Sequence, residues 1–327
     1  MKMYICLLIL FLFGATTFSQ VSTSPYIIKK GKLSYDFSFA ELAVKYLETE
    51  DSLYLVKIAS LNAVDHILRH ANQYHYNVPK KSSLDLVKYL LTPIEEKKKV
   101  LAKFKRNLEY AKREIADADF PQQYCLKYLP EGFEYSGSLF FTFGYDLGVA
   151  FDKNASVNLA HPNYLENMSE IRYYSLHELH HAGLLEIKSS GMPSLAITNY
   201  RDMLKLIDIL TQLEGMGTYA PLAIRKEESA MNTDKDYVCI QDDELMKIYE
   251  QEYFEIYNHF KNNPNAILTD KDWKKLSILS NKRRLWYRVG ALMAQKIDEE
   301  LGREKLTELI IQPSGNFILT YMDLRKY

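Results

Sequence analysis

From Ser38 to about Lys127 apolar residues recur every three or four positions with polar residues between them, the period of helices that each bury one stripe. Start signals divide the stretch. Ser38 with Glu41 has capping-box spacing, while Thr92, Pro93 and Glu95 place an N-cap, a proline at the first helical position and an acid at N3. The pattern predicts helices over 39–50, 52–73, 83–91 and 93–117. At Gly132 the texture changes. Residues 136–145, 147–152 and 156–160 alternate aromatic or β-branched with small side chains, which predicts two or three antiparallel strands turning at Asp146 and near Asn154. After His161-Pro162 the helical period returns over 167–182, with Asn167 and Glu170 as its cap and Gly183 as its stop. Further helices are predicted over 197–220, 241–261, 270–280, 282–301 and 303–311. The expected fold class is α+β, mainly α. A helical N-terminal region (20–130) precedes a region (131–327) with a small antiparallel sheet, the two forming one compact unit.

The first residues follow a different rule. Lys2 precedes an apolar run from Met3 to Phe13 and then small residues, which predicts a cleavable signal peptide over 1–19, cut between Ser19 and Gln20. The run is shorter than the roughly 20 residues that span a bilayer, so the mature chain is expected to carry no integral membrane segment and to be secreted or periplasmic. Cys125 and Cys239 then remain, either paired by export into an oxidising compartment or kept as two separate thiols.

Composition sharpens the picture little. The 327 residues are 47% hydrophobic, which argues against disorder, and 13 Gly with 10 Pro is low enough to favour helices over a sandwich. Because 41 basic residues nearly balance 42 acidic ones, there is no electrostatic reason to expect nucleic acid as a partner. Oligomeric state is left open.

Histidine is scarce, yet three of eight fall at His177, His180 and His181. His177-Glu178-Leu179-His180-His181 contains His-Glu-x-x-His. On a helix, His177 and His181 stand one turn apart on one face, so both imidazoles can meet one cation, and Glu178 can reach a water bound to it. A catalytic zinc needs a third protein ligand and one open position. Downstream, Glu214 is followed by Gly215 and Gly217, two glycines that weaken a helix unless it packs closely, here against the motif helix. Glu214 is therefore the expected third ligand of one zinc ion. Other candidates are weaker. A His177 to His180 pairing would misplace the base. Asp65, His66, His70 and His75 suggest a second metal cluster or, more simply, a polar helix face. His161 is a candidate for the cleft wall, Tyr219 a second hydroxyl candidate, and Asp202, Asp208 and Glu186 candidates to orient the zinc histidines.

These residues resemble the zinc metallopeptidases of the gluzincin type. Glu214-Gly215 with Tyr219 is similar to the Glu-Gly-x-x-x-Tyr element of M1-like aminopeptidases, and Tyr287-Arg288-Val289-Gly290 followed by Leu301-Gly302 resembles a later segment of those enzymes. With its leader, the whole pattern looks similar to a bacterial family of zinc-dependent peptidases. The resemblance, over about residues 130–325, implies a zincin-like catalytic domain and a peptide or protein substrate. It also implies that Glu178 is the general base and that Tyr287 donates to the developing oxyanion. Two departures stand out. The 32 residues between His181 and Glu214 imply an extra loop and helix over about 184–213, and no Gly-Ala-Met-Glu-Asn strand is present. Residues 136–145 or 156–160 are the expected edge for an extended peptide. Two other readings of the same residues are a binding protein with a structural or relic zinc site and a zinc hydrolase of a non-peptide bond.

Overall fold

The computed structural model describes residues 26–188 and 197–325; the predicted signal peptide lies outside them. Its chain begins with a hairpin, β1 (Ile27–Lys30) and β2 (Leu33–Asp36), turning at Gly31, whose φ of 58° suits a residue without Cβ. Helices α1 (Ser38–Thr49), α2 (Leu53–Ala59), α3 (Asn62–Gln73), α4 (Ser83–Leu91) and α5 (Ile94–Tyr110) follow, and α5 runs on as a π-turn to Asp117 before α6 (Phe120–Cys125). Strands β3 (Ser138–Thr142), β4 (Gly148–Phe151) and β5 (Asn154–Asn158) come next, then α7 (Pro162–Glu166) and α8 (Glu170–Ile187). The remainder is helical: α9 (Tyr200–Tyr219), α10 (Leu222–Glu227), α11 (Lys235–Ile240), α12 (Asp243–Lys261), α13 (Asp270–Ser277), α14 (Leu285–Leu301), α15 (Arg303–Ile311) and α16 (Gly315–Arg325). Among the described residues no helix is long and apolar enough to cross a membrane.

The expected α+β, mainly α class is what the molecule has, but its sheet is mixed rather than antiparallel. The strand order is β1-β2-β3-β5-β4, with β2, β3 and β5 parallel and the outer strands β1 and β4 antiparallel to their neighbours. Alternation along one strand specifies a pleated, half-buried surface, not the neighbour it pairs with. Burial tells them apart. Beyond their first residues β3 and β5 are wholly buried, as central parallel strands must be, whereas β4 buries only Val149 and lies at the edge. Phe37 and Phe141 stack at 4.3 Å in the core beneath the sheet, and α8 crosses β4 and β5 with Leu176 and Leu179 fully buried.

Several helix ends differ from expectation. The predicted helix over 52–73 is two, because the chain turns at Ser60, whose hydroxyl bonds the Lys57 carbonyl, and Leu61 is extended. Pro93 is the N-cap of α5 and Thr92 the C-cap of α4. Ser38 is the first residue of α1; the Asp36 carboxylate, two residues earlier, accepts its N–H at 2.8 Å. Helix α8 runs through Gly183, where a Cβ would stand 2.7 Å from Leu129 Cδ1. This glycine serves packing, not termination.

Candidate active site

Helix α8 is unusual in that every residue from Ser175 to Leu185 is buried, although five of them are His, Glu or Ser. A helix apolar on one face only would be half-exposed; here the polar residues turn inward, so something other than solvent must satisfy them. His177 and His181 face the same way, ring centroids 4.2 Å apart. Glu214 reaches them from α9: its Oε2 lies 3.5 Å from His177 Nε2 and 3.4 Å from His181 Nε2. Among the described residues these three side chains form the one group of His, Cys, Asp or Glu whose ligand atoms all fall within 4.8 Å of one another.

The group fits a zinc ion. Two donors bound at 2.0–2.1 Å to one tetrahedral ion stand about 3.4 Å apart, which is the spacing Glu214 keeps from each imidazole. His181 Nε2 and Glu214 Oε2 are buried with no hydrogen-bond partner, a condition that costs about 1–3 kcal/mol for each group unless a cation meets them. Charge is already arranged around this point. Burial pulls His181 down, but Glu214 and Glu178 outweigh it and hold its pKa above the ordinary value. Burial pushes Glu214 up, yet His181, His177 and Arg284 bring it below the usual carboxylate range.

The close approach that the two glycines suggest is present, with its partners divided. A Cβ on Gly217 would stand 2.5 Å from His181 Nε2 and 3.1 Å from His177 Cε1, so α9 presents backbone to the two histidines of the motif as expected. Gly215 faces the other way, where its Cβ would meet the Gly290 backbone of α14 at 2.4 Å. Between His181 and Glu214, α8 runs to Ile187 and α9 starts at Tyr200, with no separate helix between them among the described residues; residues 189–196 lie outside those.

A cavity of about 780 Å³ opens over the group, lined by His177, Glu178, His181, Glu214 and Tyr287 together with Leu147 to Ala150. The sheet edge facing it is β4, not the flanking segments 136–145 or 156–160. Gly148 decides this: a Cβ there would lie 2.7 Å from Glu178 Cγ and Oε1, so the edge strand touches the proposed base directly. Sequence reasoning missed Gly148; the strand-turn position Asp146-Leu147-Gly148 was its only signal. Tyr287 stands on the opposite wall, its ring parallel to that of His177 at 6.2 Å between centroids. Burial and then the Glu214 charge push its pKa well above 10, so the hydroxyl keeps its proton, and among the described residues it has no hydrogen-bond partner.

The remaining candidates lie elsewhere. His180 points away from His177; its Nε2 meets the Tyr128 carbonyl at 3.1 Å, and burial pulls its pKa down to about 3. Tyr219 donates to Asp298 at 2.5 Å and does not line the cavity. His161 accepts the Asn163 N–H at 3.3 Å as the cap of α7. His66 and His70 are neutral, pulled by burial to about 3 and 4, and make no metal group with Asp65 or His75. Glu186 accepts from Ser136 and Asp202 from Thr198, while Asp208 lies beside Tyr257 and Gly315; among the described residues none bonds His177 or His181. Cys125 and Cys239 are unpaired, and burial pushes the Cys125 thiol up to about 12.

A family model with the description "Putative zinc dependent peptidase (DUF5700)" matches residues 51–327. No curated protein and no solved structure gives a significant match.

Proposed function

The chain belongs to that family of zinc-dependent peptidases, and from this premise we propose that it is an exported metallopeptidase of the gluzincin type. In this reading His177, His181 and Glu214 hold one zinc ion and Glu178 is the general base. The observation that carries the proposal is the convergence of two imidazoles and one carboxylate, two of their donor atoms buried and unpartnered, beneath a cavity that Glu178 also lines. Export rests on the pattern of residues 1–19.

Bound zinc supplies a Lewis acid and a water whose pKa falls from about 15.7 towards 7. The chain's own residues do the rest. An extended peptide adds to the free edge of β4, which sets its scissile carbonyl beside Glu178, because Gly148 lets strand and carboxylate touch. Glu178 takes a proton from the attacking water and delivers it to the leaving amine. Tyr287, held neutral on the opposite wall, donates its hydroxyl hydrogen bond to the oxygen on which charge develops, a contribution whose loss typically costs about 3 kcal/mol.

The test is cleavage of a diverse peptide library by the wild type and by Glu178→Gln in parallel, with zinc content measured on both. The expected result is chelator-sensitive cleavage by the wild type, and a variant that keeps its zinc while losing at least about 100-fold in rate. A wild type that carries no zinc and cleaves nothing overturns the reading.

A further inference from the structure

One wall of the cavity carries an arginine whose donors are only partly used. Arg284 precedes α14 with a left-handed backbone, φ 49°, that a non-glycine residue adopts only where surrounding packing imposes it. Its guanidinium lies 3.5 Å over the Tyr287 ring. Its Nε donates to both oxygens of Asp236, at 2.8 and 3.1 Å, but Asp236 also accepts from Arg288 Nε at 2.9 Å. One buried carboxylate thus serves two guanidiniums. Among the described residues the two Nη groups of Arg284 have no acceptor, and its side chain is about one-third exposed, at 34%, where it lines the cavity.

The first turn of α14 adds the positive end of its dipole. Of the carboxylates lining the cavity, Asp236, already shared, and Glu214, which the proposed zinc site uses, act on Arg284; Asp234 and Glu178 line it too.

We propose that Arg284 anchors a carboxylate-binding subsite, so that the preferred substrate presents a carboxylate near the scissile bond on the Tyr287 side of the cleft. The group is either the free C-terminus of a short peptide or the side chain of an Asp or Glu residue. The planar Arg284 fork matches two carboxylate oxygens, and the Tyr287 ring beneath it fixes its plane. The subsite rests on the peptidase reading and names its substrate class.

The test uses binding by zinc-loaded Glu178→Gln protein, which is independent of turnover. Three probes are titrated calorimetrically: acetyl-Ala-Ala-Phe-Leu as the free acid, the same peptide as its C-terminal amide, and the amide with Glu in place of Leu. The expected result is that the free acid, the Glu amide or both bind at least about tenfold tighter than the neutral amide; which of them does so identifies the source of the carboxylate. Adding Arg284→Gln brings all three within about twofold, and Arg284→Lys restores part of the preference. Equal binding of all three probes, no binding, or a preference that survives Arg284→Gln overturns the subsite. Cleavage of the neutral amide by the wild type in the same preparation separates that failure from a failure of the peptidase reading.

Discussion

Two helix crossings meet on α9, two residues apart, and they are built differently. At Gly217 the missing side chain makes room for the rings of His177 and His181 on α8; at Gly215 it makes room for the backbone of Gly290 on α14. A ring can swing aside, but a helix backbone cannot move without its whole helix. The first crossing therefore stores its precision in the proposed zinc ligands and the second stores it in the fold. Helix α14 also carries Tyr287, so the Gly215 crossing sets how far the proposed oxyanion donor stands from the metal group on α8 and α9.

That contrast is open to breakage. The largest effect is expected from Gly215→Ala or Gly290→Ala: with backbone 2.4–2.7 Å from the new Cβ, α9 and α14 must separate, at about 3 kcal/mol of global stability by urea unfolding. Gly217→Ala is expected to lower zinc affinity by about 2 kcal/mol, some 30-fold by competition with a chromogenic chelator, while metal-free stability changes by less than about 1 kcal/mol. If both substitutions act alike on fold and metal, the two crossings are not distinct.

A third prediction uses the N-terminal layer, which touches neither crossing. His66 and His70 are held neutral by burial, their pKa values pulled from 6.5 to about 3 and 4. The unfolded chain takes up protons at these sites below pH 6.5 while the folded chain does not. Stability is therefore complete above 6.5 and is lost as pH falls toward the folded values, by about 1.4 kcal/mol per pH unit for each histidine. His66→Phe is expected to flatten the slope between pH 6.5 and 4 by that amount; an unchanged slope counts against a buried neutral His66. The smallest effect belongs to Gly148→Ala, whose Cβ would displace the Glu178 carboxylate it meets at 2.7 Å: about a fivefold loss in kcat with zinc retained. Unchanged kcat would mean that Glu178 needs no open space at the strand edge.

How legible all this was in the sequence follows from range. His177, Glu178 and His181 lie within one and a half turns of one helix, so helical geometry alone brings them together, and the Gly pair marks Glu214 because close approach leaves a compositional trace. The main helices follow from their period. Strand partners do not: β3 and β5 are parallel through a register between residues 139–142 and 155–158 that no local pattern encodes, and β4 becomes the edge because β5 inserts between it and β3. Short helices such as α10 and α11, six residues each, carry too little period to read. Gly183 reads as a stop and is in fact a packing contact with Leu129, since a glycine announces a special backbone or a close neighbour without saying which.

The proposed metal centre underlies every role assigned to this cleft, and zinc K-edge absorption spectroscopy on the stoichiometrically loaded protein tests it. The result expected is one zinc per chain in a shell of nitrogen and oxygen donors only, near 2.0–2.1 Å, with the outer-shell signature of two imidazoles that is lost in part when His181 is replaced by Ala. A sulfur shell near 2.3 Å, or a spectrum unchanged in His181→Ala, would contradict it.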